Sequence, residues 1–124
     1  MSQKGVLVVD DDRDSADSLA ELLLVMSPVP LTVSIAYGGR QALDFVLQLP
    51  EPPDLVILDI EMPGMSGAEV SAAIRSARRS NAPLLIAASG HIRMQAAHNV
   101  GVFDHAFAKP LDGQALLALL ALMA

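Results

Sequence analysis

Five short apolar runs constrain the fold of this chain more than any other feature. Gly5-Val-Leu-Val-Val9 and Asp54-Leu-Val-Ile-Leu58 contain no alternation of apolar and polar residues. A strand of that kind has no wet face, which is typical of a central strand in a parallel sheet covered by helices on both sides. The runs predict strands over about residues 5–9, 31–36, 54–58, 83–88 and 104–108.

Helical patterns separate these runs. In the first, the apolar residues Leu19, Leu22, Leu23 and Met26 recur at helical spacing. Asp14 or Ser15 stands where an N-cap is expected, and Pro28 enforces an end. We predict helices over about 15–26, 40–49, 68–78, 91–99 and 113–123, with Asp112 capping the last. Five βα units with short connections indicate one α/β domain, spanning residues 1–124, with helices on both faces of a parallel sheet.

Composition narrows the function classes. The chain has 124 residues, 52% of them apolar, which suffices to bury the core of one domain. It carries 14 acidic and 8 basic residues, and its longest basic run is Arg78-Arg79, so we expect no direct nucleic-acid binding. The most apolar stretch, 115–124, is about half the roughly 20 residues of a membrane-spanning helix, so we expect no membrane insertion. The absence of cysteine agrees with a cytoplasmic location.

Polar residues stand where four of the predicted strands end. Asp10-Asp11-Asp12 follows the first, Asp59 the third, Ser89 the fourth and Lys109 the fifth. Because the carboxyl ends of parallel strands border one crevice, these side chains are expected to converge. Carboxylates bind a divalent metal, and an ammonium and a hydroxyl neutralise phosphoryl oxygens. The pattern therefore predicts a site for a metal ion and a phosphoryl group.

The residues at these strand ends resemble the receiver domain of bacterial two-component response regulators, over the whole chain. The matching segments are Leu-Val-Val-Asp10-Asp11, Leu-Val-Ile-Leu-Asp59-Ile-Glu-Met-Pro-Gly-Met-Ser-Gly67, Ala-Ala-Ser89-Gly90 and Lys109-Pro110. The resemblance implies a flavodoxin-like (βα)5 three-layer sandwich with strand order 2-1-3-4-5 and a site between strands one and three. It also implies a cis peptide bond between Lys109 and Pro110.

The same resemblance implies the chemistry. Asp59 would accept a phosphoryl group from a phosphohistidine on a histidine kinase or phosphotransfer protein. Mg²⁺ would be held by Asp10, Asp11, Asp59 and the backbone carbonyl of Glu61, with Asp11 a direct ligand and Asp10 acting largely through water. Lys109 and Ser89 would each bind a phosphoryl oxygen. Catalysis would consist of positioning and charge neutralisation, limited to the domain's own phosphorylation and dephosphorylation.

Some positions have more than one interpretation. Asp11 and Asp12 would be the acidic pair if the motif were shifted by one residue; otherwise Asp12 is a first-turn acid favoured by the helix dipole. Ser-Gly at 89–90 is also a common turn, and Lys109 could be an ordinary solvated lysine. Glu61 and His91 occupy positions that in the family line the route of the hydrolytic water.

One position departs from the family. Receivers usually have an aromatic residue or histidine where this chain has Ala106, and that ring moves inward on activation. Phe107 is adjacent, but neighbouring residues in a strand face opposite sides, so we expect Phe107 to be core. The last helix is apolar on nearly every side; a projection assigns Leu116, Leu117 and Leu120 to the sheet and leaves Leu119 and Leu122 for a homodimer or partner surface.

Two other classes of protein deserve comparison. A Mg²⁺-dependent phosphohydrolase of the haloacid dehalogenase type uses a similar residue set, but its nucleophile precedes the metal pair in the chain, the reverse of the order here. A degenerate receiver would keep the site residues and act only as a docking module. Whether the receiver is phosphorylated or degenerate, we expect its output to pass through contacts with other proteins.

Overall fold

The fold is built from five strands and four helices within residues 3–78, 80–90, 102–109, 111 and 113–122, which the computed structural model describes. The strands are β1 (Lys4–Val9), β2 (Leu31–Ala36), β3 (Leu55–Asp59), β4 (Leu84–Ser89) and β5 (His105–Ala108). The helices are α1 (Arg13–Met26), α2 (Gly39–Gln48), α3 (Gly67–Ala77) and α4 (Gly113–Ala121). Each observed boundary of an expected strand lies within one residue of the sequence-based prediction.

The strands form one parallel sheet in the order β2-β1-β3-β4-β5. The chain thus reverses direction across the sheet after β2, and β1 and β3 lie side by side at the centre. This confirms the predicted flavodoxin-like arrangement. The strand order also determines where the crevice lies. It lies at the carboxyl ends of β1 and β3, because the loops that follow these two strands lead to helices on opposite faces of the sheet.

Two hydrophobic clusters fill the space between the sheet and its helices. One packs α2 and α3 against one face and includes Leu7, Val46, Leu58 and Ile74. The other packs α1 and α4 against the opposite face and includes Val8, Leu23, Ile57 and Leu116. Consecutive strand residues enter different clusters because side chains alternate across a strand. Burial on both faces explains why the apolar runs lack polar alternation.

The start of α1 corrects one prediction. Asp12, and neither Asp14 nor Ser15, is the N-cap: its backbone is extended, and its carboxylate accepts hydrogen bonds from the Asp14 N–H and the Ser15 hydroxyl. These contacts satisfy a backbone donor that the first turn leaves free. Asp12 is therefore outside the helix and is not a first-turn acid. The hydrogen bond from Ser15 is the leading cause that lowers the pKa of Asp12.

The orientation of α4 corrects another. Leu116, Leu119 and Leu120 are buried against the sheet, whereas Leu117 is 54% exposed. The i, i+3, i+4 set faces the core, and Leu117 lies about 100° away around the helix. The prediction that Leu119 faces solvent was wrong, and Leu122 is half-buried against the same cluster. The homodimer surface centred on Leu119 therefore lacks its main residue.

The neighbours Ala106 and Phe107 point to opposite faces of the sheet. Ala106 packs against the cluster on the α2 and α3 side, and Phe107 packs against the cluster on the α1 and α4 side. Phe107 is thus half-buried against the core on the face opposite Ala106, and its ring lies on the wrong face to replace one at position 106.

Three predictions lie outside the described residues: the helix over 91–99 with His91, the cis bond to Pro110, and the Asp112 cap. Within the described parts of the chain, no helix is long and apolar enough to cross a membrane.

Candidate functional site

Asp10 lies directly beyond β1 and is held by the sheet. Its N–H donates to the Ala36 carbonyl at 3.1 Å, which extends the β1–β2 pairing by one residue. Its carboxylate accepts from the Asp12 N–H at 3.0 Å, and only 7% of the side chain is exposed. Burial of a carboxylate is costly unless an opposite charge or hydrogen-bond donors compensate it, so the partners of Asp10 matter for folding.

Asp59 ends β3, and the loop after it is tightly fixed. Met62 is buried in the core, and Gly64 has a φ of +79°, which favours glycine. Ser66 begins α3 with a capping box to Glu69. A Cβ on Gly67 would lie 2.3 Å from the Asp59 carbonyl oxygen, so only glycine lets α3 begin this close to the strand. The loop thereby fixes the backbone that carries Asp59.

Lys109 joins the two aspartates. Its Nζ lies 2.6 Å from Asp10 Oδ2 and 3.4 Å from Asp59 Oδ2. Its N–H donates to the Ser89 carbonyl at 2.8 Å, which ties the end of β5 to the end of β4. The ammonium therefore supplies the compensating charge that the buried Asp10 requires.

Three carboxylates meet at this point. Asp10, Asp11 and Asp59 each offer one oxygen, and these oxygens lie within 4.8 Å of one another. Asp10 is buried, Asp11 exposed and Asp59 intermediate, so the cluster opens to solvent on the Asp11 side. Oxygen donors of high charge density suit a small hard dication. The donor set therefore fits Mg²⁺.

The two remaining predicted residues lie at the same edge of the sheet. Ser89 is the last residue of β4 and is 2% exposed. Glu61 is exposed, and its N–H donates to Asp59 Oδ1 at 3.2 Å. The strand ends thus bring the predicted residues to one region, but the roles given to them stay predictions.

The charges act on one another. Burial raises the pKa of Asp59. The Lys109 charge and the hydrogen bond from the Glu61 N–H lower that pKa, whereas the Asp10 charge raises it further, and the net shift is upward. Burial lowers the pKa of Lys109, but the Asp10 hydrogen bond and the charges of Asp59 and Asp10 outweigh it, so the net shift is also upward. Lys109 is therefore a permanent cation at neutral pH, beside a carboxylate that ionises at a cost.

A groove of about 520 Å³ runs from these residues along α1. Its lining includes the charged residues Asp10 and Lys109 and the apolar residues Leu19, Leu22 and Leu111. Beyond it, α1 exposes Leu24 and Val25, the latter at 81%. A patch of exposed apolar side chains beside a charged site is a feature of surfaces that bind other proteins.

Sequence reasoning missed a second polar network. Ser71 and Arg75 of α3 reach residues 102–104, which precede β5. These residues gave no signal, because a serine or an arginine on a helix is ordinarily solvated. The cap at Ser66 could have been found, since Ser66-Gly-Ala-Glu69 has the capping-box spacing.

Known proteins are similar to this chain in sequence. The chain is 34% identical over 113 residues to sporulation initiation phosphotransferase F of Bacillus subtilis, covering 90% of this chain and 86% of that protein. It is also 34% identical over 113 residues to the response regulator MprA of Mycolicibacterium vanbaalenii, covering 91% of this chain. This chain spans 47% of MprA, about half its length.

A solved structure is similar to this chain in fold. Response regulator protein TrrA of Thermotoga maritima, in complex with Mg²⁺-BeF, superposes with a TM-score of 0.82 at 28% identity, covering 98% of this chain and all of that one. The sequence model of the response regulator receiver domain matches residues 6–121. Since that match takes in every strand end described above, the chain belongs to the response regulator receiver domain family.

Proposed function

We propose that residues 1–124 form a receiver domain whose Asp59 accepts a phosphoryl group from a phosphohistidine on a histidine kinase or phosphotransfer protein. Membership of the family makes the chain a phosphorelay signalling domain, and receiver domains are phospho-acceptor switches. The observation that carries the assignment to Asp59 is its place in the acidic cluster, with its Oδ2 3.4 Å from the Lys109 ammonium. The phosphohydrolase alternative is not favoured, because the family match places the chain elsewhere.

The chemistry follows from the residues present. A carboxylate oxygen of Asp59 forms a bond to phosphorus as the bond from phosphorus to the donor histidine breaks, and the imidazole leaves with that electron pair. Lys109, a fixed cation at 3.4 Å from Asp59, neutralises a phosphoryl oxygen, and the Ser89 hydroxyl donates to another. The phosphoryl group passes through a loose transition state in which its oxygens carry the charge. The contacts from Lys109 and Ser89 stabilise that charge, so positioning and charge neutralisation supply most of the rate enhancement.

Mg²⁺ is the cofactor that the acidic cluster fits. Asp10, Asp11, Asp59 and the Glu61 carbonyl are the proposed ligands, with Asp10 acting largely through water. A bound dication supplies positive charge that offsets repulsion between the carboxylates and an incoming phosphoryl group. Mg²⁺ in the TrrA complex is consistent with this choice.

The donor is proposed to be a protein that lies in the groove along α1. Lys109 and Leu22 line the same groove, so a donor histidine beside Lys109 would leave the donor's own apolar residues free to pack against Leu22. A cytoplasmic location and output through protein contacts complete the proposal. Self-association through α4 stays an untested prediction and would have to use Leu117, the exposed leucine.

Intact-mass spectrometry after treatment with acetyl phosphate and Mg²⁺ tests the assignment. We expect one phosphoryl adduct on the wild type and none on Asp59→Asn. Asp54→Asn is the matched control, because Asp54 precedes the same strand at its other end, where it accepts from the Gly5 N–H at 2.7 Å. An adduct on Asp59→Asn would contradict the assignment. Sustained release of phosphate would favour a phosphohydrolase, and no reaction would favour a degenerate receiver.

A further inference from the structure

The strand that precedes Lys109, β5, makes few packing contacts that would fix its position. β5 has four residues, lies at the edge of the sheet and pairs with β4. Two of its residues are exposed and two are half-buried. Edge strands this short bury little apolar surface, so packing alone constrains their position weakly. Lys109 follows directly and nevertheless lies within hydrogen-bonding distance of Asp10.

Contacts from α3 hold the segment before β5. The Ser71 hydroxyl and Arg75 Nη2 both donate to the Val102 carbonyl, the second at 3.1 Å, and Ser71 is fully buried. Arg75 Nη2 also lies 3.4 Å from Asp104 Oδ2. We call Ser71, Arg75, Val102 and Asp104 the α3–β5 clamp. It joins a helix on one face of the sheet to the entrance of its edge strand.

Asp104 connects the clamp to β4. Its N–H donates to the Leu85 carbonyl at 2.7 Å, and its Oδ2 accepts from the Leu85 N–H at 2.8 Å. Leu85 is fully buried in β4, which pairs with both β3 and β5, so its backbone is a fixed reference point. Two hydrogen bonds on one residue define which residues of β4 and β5 are neighbours, and His105 then pairs with Ile86.

The clamp is poorly explained by stability alone. The Arg75 and Asp104 side chains are 39% and 30% exposed, and ion pairs with this much solvent contribute little. Arg75 Nε is also buried without a hydrogen-bond partner in the described part of the chain, which is unfavourable. What the contacts do provide is a defined position for Val102 and Asp104.

That position is transmitted to the site. From Asp104 the pairing continues along β5 to Ala108 opposite Ser89, and Lys109 follows. A slip of one residue would move Lys109 by about 3.3 Å and turn its side chain to the other face. Its Nζ is 2.6 Å from Asp10 and 3.4 Å from Asp59, so even a shift of about 1 Å would break the geometry.

We propose that Ser71 and Arg75 are positioning residues for phosphoryl transfer, acting through Asp104 and β5 to hold Lys109 between Asp10 and Asp59. This inference rests on the proposed function of Asp59. It assigns a part in the reaction to α3 residues that do not touch the acidic cluster.

The test compares two arginines of the same helix end. Arg78 resembles Arg75: its Nη2 donates to two backbone carbonyls, of Val46 and Leu49, and its Nε is also buried without a partner in the described residues. Arg78, however, holds the end of α2 and not β5. Arg75→Ala and Arg78→Ala should therefore lose similar stability, and only Arg75→Ala should disturb Lys109.

Two measurements follow. At saturating Mg²⁺ and acetyl phosphate, the maximal phosphorylation rate should fall about tenfold to a hundredfold in Arg75→Ala and change less than about twofold in Arg78→Ala. The side-chain ¹⁵N signal of Lys109, assigned with Lys109→Arg, should shift or broaden in Arg75→Ala alone. Ser71→Ala should move this signal in the same direction by less, and it replaces Arg75→Ala if that variant fails to fold.

The outcomes are separable. Equal rates in the two alanine variants, or a Lys109 signal that is unchanged in Arg75→Ala and Ser71→Ala, would overturn the positioning role. If the wild type takes up no phosphate, the proposed function fails, and the Lys109 signal still decides whether the clamp holds that side chain.

Discussion

Asp59→Asn should stabilise the metal-free protein, because burial disfavours the ionised Asp59 carboxylate and repulsion from the neighbouring carboxylates adds to that cost. Asp59 lies within 4.8 Å of two other carboxylates and 3.4 Å from the Lys109 ammonium. At an effective dielectric constant near 20, each repulsion is about 3.5 kcal/mol and the attraction about 4.9 kcal/mol. The two carboxylate repulsions together exceed the attraction to Lys109 by about 2 kcal/mol at this dielectric constant, and by about 0.5 kcal/mol at the dielectric constant of water, about 80. Asparagine removes all three interactions and still accepts from the Glu61 N–H.

The pH dependence has a defined sign. The pKa of Asp59 is raised on folding, first by burial, so its contribution to stability is present below its unfolded pKa and is lost as pH rises through its folded pKa. Asparagine resembles the protonated form at every pH. The stability advantage of Asp59→Asn should therefore be complete at pH 7, should shrink as pH falls through about 4, the pKa of an unfolded aspartate, and should be absent about one pH unit below that value.

Urea unfolding followed by circular dichroism, with EDTA present, measures this difference. We expect the free energy of unfolding of Asp59→Asn to exceed that of the wild type by about 0.5–2 kcal/mol at pH 7. Asp44→Asn is the matched control: it changes net charge equally, its side chain is 51% exposed, and it should stay within about 0.5 kcal/mol of wild type. A less stable Asp59→Asn, or an advantage that is as large at about pH 3 as at pH 7, would refute this account of the cluster.

Two further predictions concern the same end of the sheet. Millimolar Mg²⁺ should raise the thermal midpoint of the wild type by mass action and raise that of Asp11→Ala much less; an equal rise in both, or none in the wild type, would contradict the metal site. Gly67→Ala should lower the free energy of unfolding by about 1–3 kcal/mol, because the new Cβ would lie 2.3 Å from the Asp59 carbonyl oxygen. Gly38→Ala, which meets nothing within 4 Å, is its control in chemical denaturation, and equal losses would refute the steric explanation.

The sheet and the site were predictable because burial and strand direction leave clear patterns. Apolar runs without polar alternation identified central parallel strands, and polar residues at their carboxyl ends had to meet. Asp10, Asp59 and Lys109 were found this way. The strand order 2-1-3-4-5 and the individual role of each residue came from the resemblance to the receiver family.

Helix rotation and long-range polar contacts were less accessible. The last helix is apolar on most sides, so its sequence barely distinguishes Leu117 from Leu119, and packing against the sheet decides which is buried. The α3–β5 clamp joins Arg75 to residues 27 or more positions later, and nothing local marks that pairing. Asp12 was misassigned because three successive acids fit the cap, the first turn and the metal site equally well.

The division of the core into two clusters on opposite faces of the sheet has a consequence for how such a domain can change. Among the described residues, no side chain belongs to both clusters. Substitutions in different clusters should therefore combine additively, whereas those within one cluster should show coupling. Substitutions on the α1 and α4 side should therefore leave the packing of the α2 and α3 side undisturbed. The two faces of this one small domain can in this way diverge in sequence independently of each other.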